Sequence, residues 1–304
     1  MTWKLKLVLF YTNLRKPLDA NKDGIEKMRK ESDKAAWLGS RLFDQVVPVK
    51  KRTDLSADGV PIRIYQNSEA ADQRVLIFYH GGGFALYHLN AHDNVCRRLA
   101  AMNNCIVVSV DYRLAPEHTF PAAHDDAFTA IKWVRNNISG YGGNPNDLFV
   151  AGDSAGGNLS ACMAHRCKKE GISLKGQVLI YPWIDGKLDN PSIERNGNGY
   201  LLLRDTMFWF QKQYTPRVED QCKPDVSPKY ESNFEGLAPA FILTAQFDPL
   251  VDDGFNYYNQ LKSAGNKVTY NEYPGLIHGF INIPKVSPQA LKAFDDIAAF
   301  MKAL

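Results

Sequence analysis

Ser154 stands at the centre of GDSAGG, residues 152–157, after the aliphatic run LFVA and before a helix-like NLSACMAHRCKK. A serine hydroxyl is a weak nucleophile at neutral pH and needs an adjacent general base that a third group orients. The small residues around Ser154 suit a sharp strand-to-helix turn in which the hydroxyl projects above the end of a sheet. A GxSxG string alone is expected by chance in about one chain in ten of this size. Its position between a strand and a helix is what makes it informative.

The base should be a histidine, and the order serine, acid, histidine suits this kind of turn. Of the seven histidines, at 80, 88, 92, 118, 124, 165 and 278, only His165 and His278 follow Ser154. His165 lies eleven residues into the helix that follows Ser154 and points away from the turn, which leaves His278 in the PGLIHGF loop. The acid is expected at the carboxyl end of a strand, where open α/β sheets place their ligands and reacting groups. Asp248 directly follows FILTAQF and meets that condition. Asp252 is the reserve, although Asp252 and Asp253 fall in a first helical turn and read as partners of the helix dipole. HGGGF, residues 80–84, follows RVLIFY and supplies a loop whose backbone N–H groups can stabilise an oxyanion together with the N–H of Ala155. The chemistry of such a set is acyl transfer, and it should fail in acid, because a protonated His278 cannot accept the serine proton.

These groups need a rigid frame. Eight strands are predicted at 48–55, 60–67, 74–80, 104–112, 147–153, 176–182, 240–246 and 267–274 from β-branched runs bounded by turn residues. The central runs are continuously apolar and suit parallel strands covered on both faces, whereas the first two alternate and suit an antiparallel edge. Helical stretches near 90–101, 121–138, 155–170, 251–264 and 287–303 alternate with them, so a three-layer α/β/α sandwich follows. Residues 1–45 and 183–215 do not fit the alternation and are expected to form a helical cap over a catalytic domain of residues 46–182 and 216–304. Composition agrees with a globular chain: 304 residues, 45% hydrophobic and 23% charged, with 36 basic against 33 acidic side chains. A net charge of +3 gives no nucleic-acid footprint. The cysteines at 96, 105, 162, 167 and 222 show neither a CxxC pair nor zinc-ligand spacing, so reduced thiols in the cytoplasm are expected and a metal site is not. The apolar core Leu7–Tyr11 is too short for a signal segment, and no stretch suits a membrane span.

Taken together, HGGGF, DYRLAPEHTFPAA (111–123), GDSAGG, DPLVDDG and HGF resemble the signature blocks of the hormone-sensitive lipase family of α/β-hydrolases, in its GDSAG branch. The resemblance covers roughly residues 45–304. It implies the α/β-hydrolase fold, an eight-stranded mostly parallel sheet with helices on both faces, and a helical cap built from the N-terminus and an insertion after the sixth strand. It further implies a triad of Ser154, Asp248 and His278, with oxyanion donors at Gly82, Gly83 and Ala155. Asp111, Arg113 and Glu117 would brace the HGGG loop, with His80 and Gly81 in the same supporting set. The pattern departs from the family at DPLVDDG, where many members have DPLRDEG, which puts a local salt bridge in doubt.

Phe84, Phe208 and Trp209 are the expected pocket walls. Phe208 and Trp209 are neighbours that a helix points in different directions, so one can close a pocket while the other packs. The function expected is a cofactor-free serine carboxylesterase acting on small esters of short to medium acyl chains, with a homodimer as a possible assembly. An amidase or formamidase on the same triad is the alternative. A non-catalytic small-molecule receptor of this fold is disfavoured by the presence of His278.

Overall fold

The computed structural model describes residues 1–14 and 24–304. Its strands are β1 (Lys51–Ala57), β2 (Val60–Gln66), β3 (Gln73–Tyr79), β4 (Ile106–Val110), β5 (Gly143–Asp153), β6 (Gly176–Ile180), β7 (Ala240–Phe247) and β8 (Val268–Ile277). They form one sheet in the order β1-β2-β4-β3-β5-β6-β7-β8. The β1–β2 and β2–β4 pairs are antiparallel, and every pair from β4 onwards is parallel. Each expected strand is present, with shifted ends: β5 begins at Gly143 and β8 runs on to Ile277, one residue short of His278.

The central parallel runs, Val75–Tyr79 of β3, Ile106–Val110 of β4, Leu148–Ala151 of β5 and Val178–Ile180 of β6, are buried on both faces. In β3, Val75, Ile77 and Tyr79 join a core with helices α4 (Ala122–Asn137) and α5 (Ala155–Lys169). Leu76 and Phe78 point the other way, into a core with α3 (Asp93–Asn103) and α9 (Pro288–Lys302). This is the period of two expected of a strand, expressed on a strand with no wet face. One expectation needs correction. β2 reads as alternating, yet all of its residues except Pro61 are buried, because α4 covers one face of it, over Ile62 and Ile64, and α3 the other, over Tyr65. Its polar Arg63 is buried with partners: Nε donates to Asp54 Oδ1 at 2.6 Å and Nη1 to Asn90 Oδ1 at 2.8 Å.

Both stretches outside the alternation carry helices, joined in residues 183–215 by irregular segments. Helices α1 (Trp3–Leu14) and α2 (Ile25–Phe43) precede the sheet, while residues 15–23 of that range lie outside the described residues. Leu5 and Leu9 of α1 are buried in one core with Phe280 and Ile281, just past His278. The Thr2 hydroxyl donates to the Val286 carbonyl at 2.6 Å. Between β6 and β7 lie α6 (Pro191–Asn196) and α7 (Arg204–Tyr214), and α8 (Val251–Ser263) follows β7. Among the described residues no helix is long and apolar enough to cross a membrane.

Candidate active site

Ser154 joins the end of β5 to the start of α5 with φ 56° and ψ −118°, in the positive-φ region that side chains other than glycine rarely occupy. Such a conformation costs on the order of 1–3 kcal/mol and persists only where its surroundings enforce it. Here they do. The Ser154 N–H donates to Ile180 O at 2.9 Å, and its carbonyl accepts from the Trp183 N–H at 3.1 Å, so β6 clamps the turn from one side. From the other side β3 approaches so closely that a Cβ on Gly156 would overlap the Tyr79 carbonyl, and one on Gly152 would overlap Gly156.

His278 and Asp248 are held by β8 and β7, neighbours in the sheet. His278 Nδ1 lies 2.8 Å from Asp248 Oδ2, which leaves Nε2 as the free nitrogen of that ring. Asp248 is fully buried, and its Oδ1 accepts the Leu250 N–H at 2.8 Å. Asn196 of α6 donates to the Asp248 carbonyl at 3.0 Å, so the insertion after β6 fixes the acidic loop as well. The Tyr181 ring lies 4.5 Å from the imidazole of His278, centroid to centroid. Asp252, the reserve acid, takes no part in this pair. It accepts the Ser192 N–H at 2.8 Å and pairs with Arg195 at 2.9 Å.

The HGGGF loop touches the serine turn through the residue before each. Gly81 N–H donates to Asp153 Oδ1 at 2.8 Å. Asp153 is buried, with His92 Nε2 at 3.1 Å from Oδ1 and the Tyr181 hydroxyl at 3.4 Å from Oδ2. Burial pushes its carboxyl up, but His92, the Gly81 N–H and His278 pull it further down, so it stays below the ordinary carboxylate range. Among the described residues no protein acceptor takes the N–H of Gly82, Gly83 or Ala155.

Residues 76–282 match a family model described as an alpha/beta hydrolase fold. The chain is 41% identical to the carboxylesterase NlhH of Mycobacterium tuberculosis over 251 residues, 81% of this chain and 79% of that one. It is 34% identical to an ethyl acetate hydrolase of Pseudomonas putida across 87% of this chain and 86% of the other. The solved structure of a hyperthermophilic esterase from the archaeon Pyrobaculum calidifontis matches with a TM-score of 0.90 at 35% identity, covering 98% of this chain and 97% of that one. The chain belongs to the hormone-sensitive lipase family of α/β-hydrolases. As an enzyme it is a carboxylic ester hydrolase.

The residues that the resemblance gives as supports of the loop have these partners. Asp111 makes no hydrogen bond to the HGGG segment among the described residues; its carboxylate faces His88 at 3.3 Å. Arg113 turns to the start of α4, where Nε and Nη2 bond both oxygens of Asp126 at 2.8–3.1 Å, because that buried carboxylate offers a bidentate partner. Glu117 reaches the loop through Arg29, which it holds at 2.7 and 2.8 Å. His80 does support the loop: its Nδ1 lies 2.7 Å from the Gly81 carbonyl, and its own carbonyl accepts the Tyr112 hydroxyl at 2.6 Å. Burial, reinforced by His92, lowers His80 to about 4.

The three aromatics expected at the pocket have different surroundings. Phe84 is buried and stacked on Tyr214, with centroids 3.8 Å apart, because a φ of 60° turns it into the core. Phe208 is half-buried beneath the Arg204 guanidinium at 4.7 Å, and Trp209 is half-buried with its ring edge-on to Phe210. The residue that meets the loop is Phe210, whose ring lies where a Cβ on Gly83 would fall. Met207, Phe210 and Tyr214 are the buried face of α7, at i, i+3 and i+7. That spacing is legible in the sequence, at positions 207, 210 and 214.

Asp253 is likewise more than a dipole partner. Its Oδ2 accepts the N–H groups of Ile184 and Asp185 at 2.7 and 2.9 Å, just beyond Trp183, which holds the serine turn. Burial and the neighbouring Asp185 push its carboxyl up to about 8.

Proposed function

We propose that the enzyme hydrolyses esters of short to medium acyl chains through an acyl-enzyme on Ser154. His278 Nε2 takes the Ser154 proton as Oγ attacks the ester carbonyl, and Asp248 holds the imidazole through Nδ1 and stabilises the imidazolium. The negative oxygen of the tetrahedral intermediate is received by the N–H groups of Gly82, Gly83 and Ala155, donors that the protein leaves unused. His278 then returns the proton to the departing alkoxide. Water, activated by the same imidazole, attacks the acyl-serine and releases the carboxylic acid.

The observation that carries this reading is the Asp248–His278 bond of 2.8 Å on β7 and β8, at the end of the sheet where β5 presents a strained Ser154. The relatives named carboxylesterase and ethyl acetate hydrolase support the ester as substrate class. Residues 1–45 and 183–215 act in this reading as a cap that bounds the acyl pocket. Phe210 marks its floor against the loop, which favours acyl chains of about two to eight carbons by burial of each CH₂. Cytoplasmic residence belongs to the same reading, supported by cysteine usage.

A fluorophosphonate should label Ser154, and Ser154→Ala should lower kcat on a p-nitrophenyl ester on the order of 10⁴- to 10⁶-fold. An adduct mapped to another residue, or a variant with near wild-type turnover, would overturn the assignment.

A further inference from the structure

The segment after β3 is bent through positive φ at Gly82 (113°), Gly83 (61°), Phe84 (60°) and Tyr87 (73°). A run of such conformations, two of them on aromatic residues, persists only where its surroundings over-determine it. Most of the ties come from the sheet and its loops. Gly81 N–H reaches Asp153, Ala115 N–H donates to Phe84 O at 2.8 Å, and Leu86 N–H donates back to Gly82 O at 2.9 Å.

Another hydrogen-bonded tie comes from the N-terminal helices. Arg29, on α2, donates from Nε to Ala85 O at 2.9 Å and from Nη2 to Ala115 O at 2.9 Å. Glu117 holds the same guanidinium through both carboxylate oxygens, at 2.7 and 2.8 Å. Two successive carbonyls of the loop, Phe84 and Ala85, are thus fixed by one small assembly of Ala115, Arg29 and Glu117. Met28, the residue before Arg29, is buried in one core with Phe84, Ala85 and Leu86. An exposed ion pair contributes little to stability by itself. Glu117 is half exposed, so the value of this arrangement lies in where it points the guanidinium. The planar fork is needed, because a lysine ammonium is a point donor that cannot span two carbonyls and a carboxylate in fixed geometry.

We propose that Arg29 is a positioning residue for ester hydrolysis, coupling the docking of α2 to the geometry of the Gly82–Gly83 donors. The proposal rests on the reading of that loop as the oxyanion site. It makes the N-terminal helices part of the machinery for the shortest substrates, whose acyl groups would not need a cap to bind them.

The test is Arg29→Ala assayed on p-nitrophenyl acetate, with Ser154 titrated by a fluorophosphonate in every protein. Because oxyanion donors act in the transition state, kcat should fall about 10- to 100-fold while KM changes by less than about threefold. The Ki of a trifluoromethyl ketone, which forms a tetrahedral adduct, should rise by the same factor as kcat/KM falls. Added guanidinium ion should restore part of kcat. Unchanged kcat and Ki, or a loss confined to KM that grows with acyl length, would overturn the proposal and leave Arg29 a cap contact. Should Arg29→Ala fail to fold, Arg29→Lys and Glu117→Gln carry the test, each expected to lower kcat about 3- to 10-fold with a matching rise in Ki. Wild-type behaviour in both would equally overturn it. A wild-type protein that is not labelled at Ser154 would instead remove the reading underneath.

Discussion

Two histidine–aspartate pairs flank Ser154, alike in composition and unlike in what surrounds them. His278 meets Asp248 through Nδ1 at 2.8 Å, and His92 meets Asp153 through Nε2 at 3.1 Å. The His278 side chain keeps 12% of its surface exposed, whereas that of His92 keeps 3%. Asp153 is shared with the Gly81 N–H and the Tyr181 hydroxyl, while Asp248 gives its second oxygen to a backbone N–H of its own turn. His92 Nδ1 is buried without a partner among the described residues, so its second nitrogen faces no solvent route for a proton. The same pair of residue types is therefore suited to proton transfer in one place and to bracing a loop in the other. Access at the second ring nitrogen makes the difference, and Tyr181 bridges the two pairs, its ring on His278 and its hydroxyl on Asp153.

Replacing each aspartate separates these roles. Asp248→Asn should lower kcat by about 10⁴-fold with the fold retained, because the imidazole loses its tautomer and its stabilised cation. Asp153→Asn should cost about 10- to 100-fold in kcat, through the Gly81 peptide and the donors beyond it. It should also lower Tm by several degrees, since a buried bonded charge is lost. Equal losses of kcat in the two variants, with Tm untouched in Asp153→Asn, would break the comparison.

The opposite face of the loop offers a smaller contrast. Phe210→Ala should move the acyl optimum of the p-nitrophenyl series about two carbons longer and reduce kcat/KM on acetate about fivefold, as the space against Gly83 opens. Phe208→Ala should leave the optimum where it is. A shift caused by Phe208→Ala alone would return the pocket wall to the residue first expected.

Titration gives the smallest effect. Burial, with the Arg166 charge, lowers His124 to about 3, so the folded protein holds it neutral. Below the ordinary imidazole value of about 6.5 the unfolded chain takes up a proton that the folded chain does not, so stability falls as pH drops from there. Asp153, depressed by its partners, retains its contribution above the ordinary carboxylate range and loses it as pH falls below that range. Asp253, at about 8, acts oppositely: the folded state keeps its proton, and that contribution declines as pH rises from about 4 to 8. Burial lowers His80 and His165 to about 4 as well, so the three buried histidines outweigh Asp253, and unfolding free energies measured by denaturant from pH 4 to 8 should show an acid limb starting near 6.5, shallower by about one proton in His124→Asn. A limb that begins only below pH 4, identical in wild type and variant, would remove the buried histidine from this account.

Much of the frame is readable along the chain because its determinants are local. Continuous apolar runs announce strands covered on both faces, and GDSAGG announces a turn so tight that a side chain at Gly156 would overlap the Tyr79 carbonyl. Chain order and strand ends also narrow the candidate base to His278 and the candidate acid to Asp248, with Asp252 in reserve, without any contact information. What surrounds these residues is not local. Gly81 and Asp153 are 72 residues apart and Arg29 and Ala85 are 56 apart, and nothing in either neighbourhood names its partner. Arg113 and Glu117 look equally fit to brace the loop, and only packing sends one to Asp126 and the other to Arg29. A charged or polar side chain advertises what it can bond, but many partners can satisfy that capacity. Burial selects among them, because a polar group left unpaired in the interior costs on the order of 1–3 kcal/mol, and the choice is made once for the whole molecule as its elements pack.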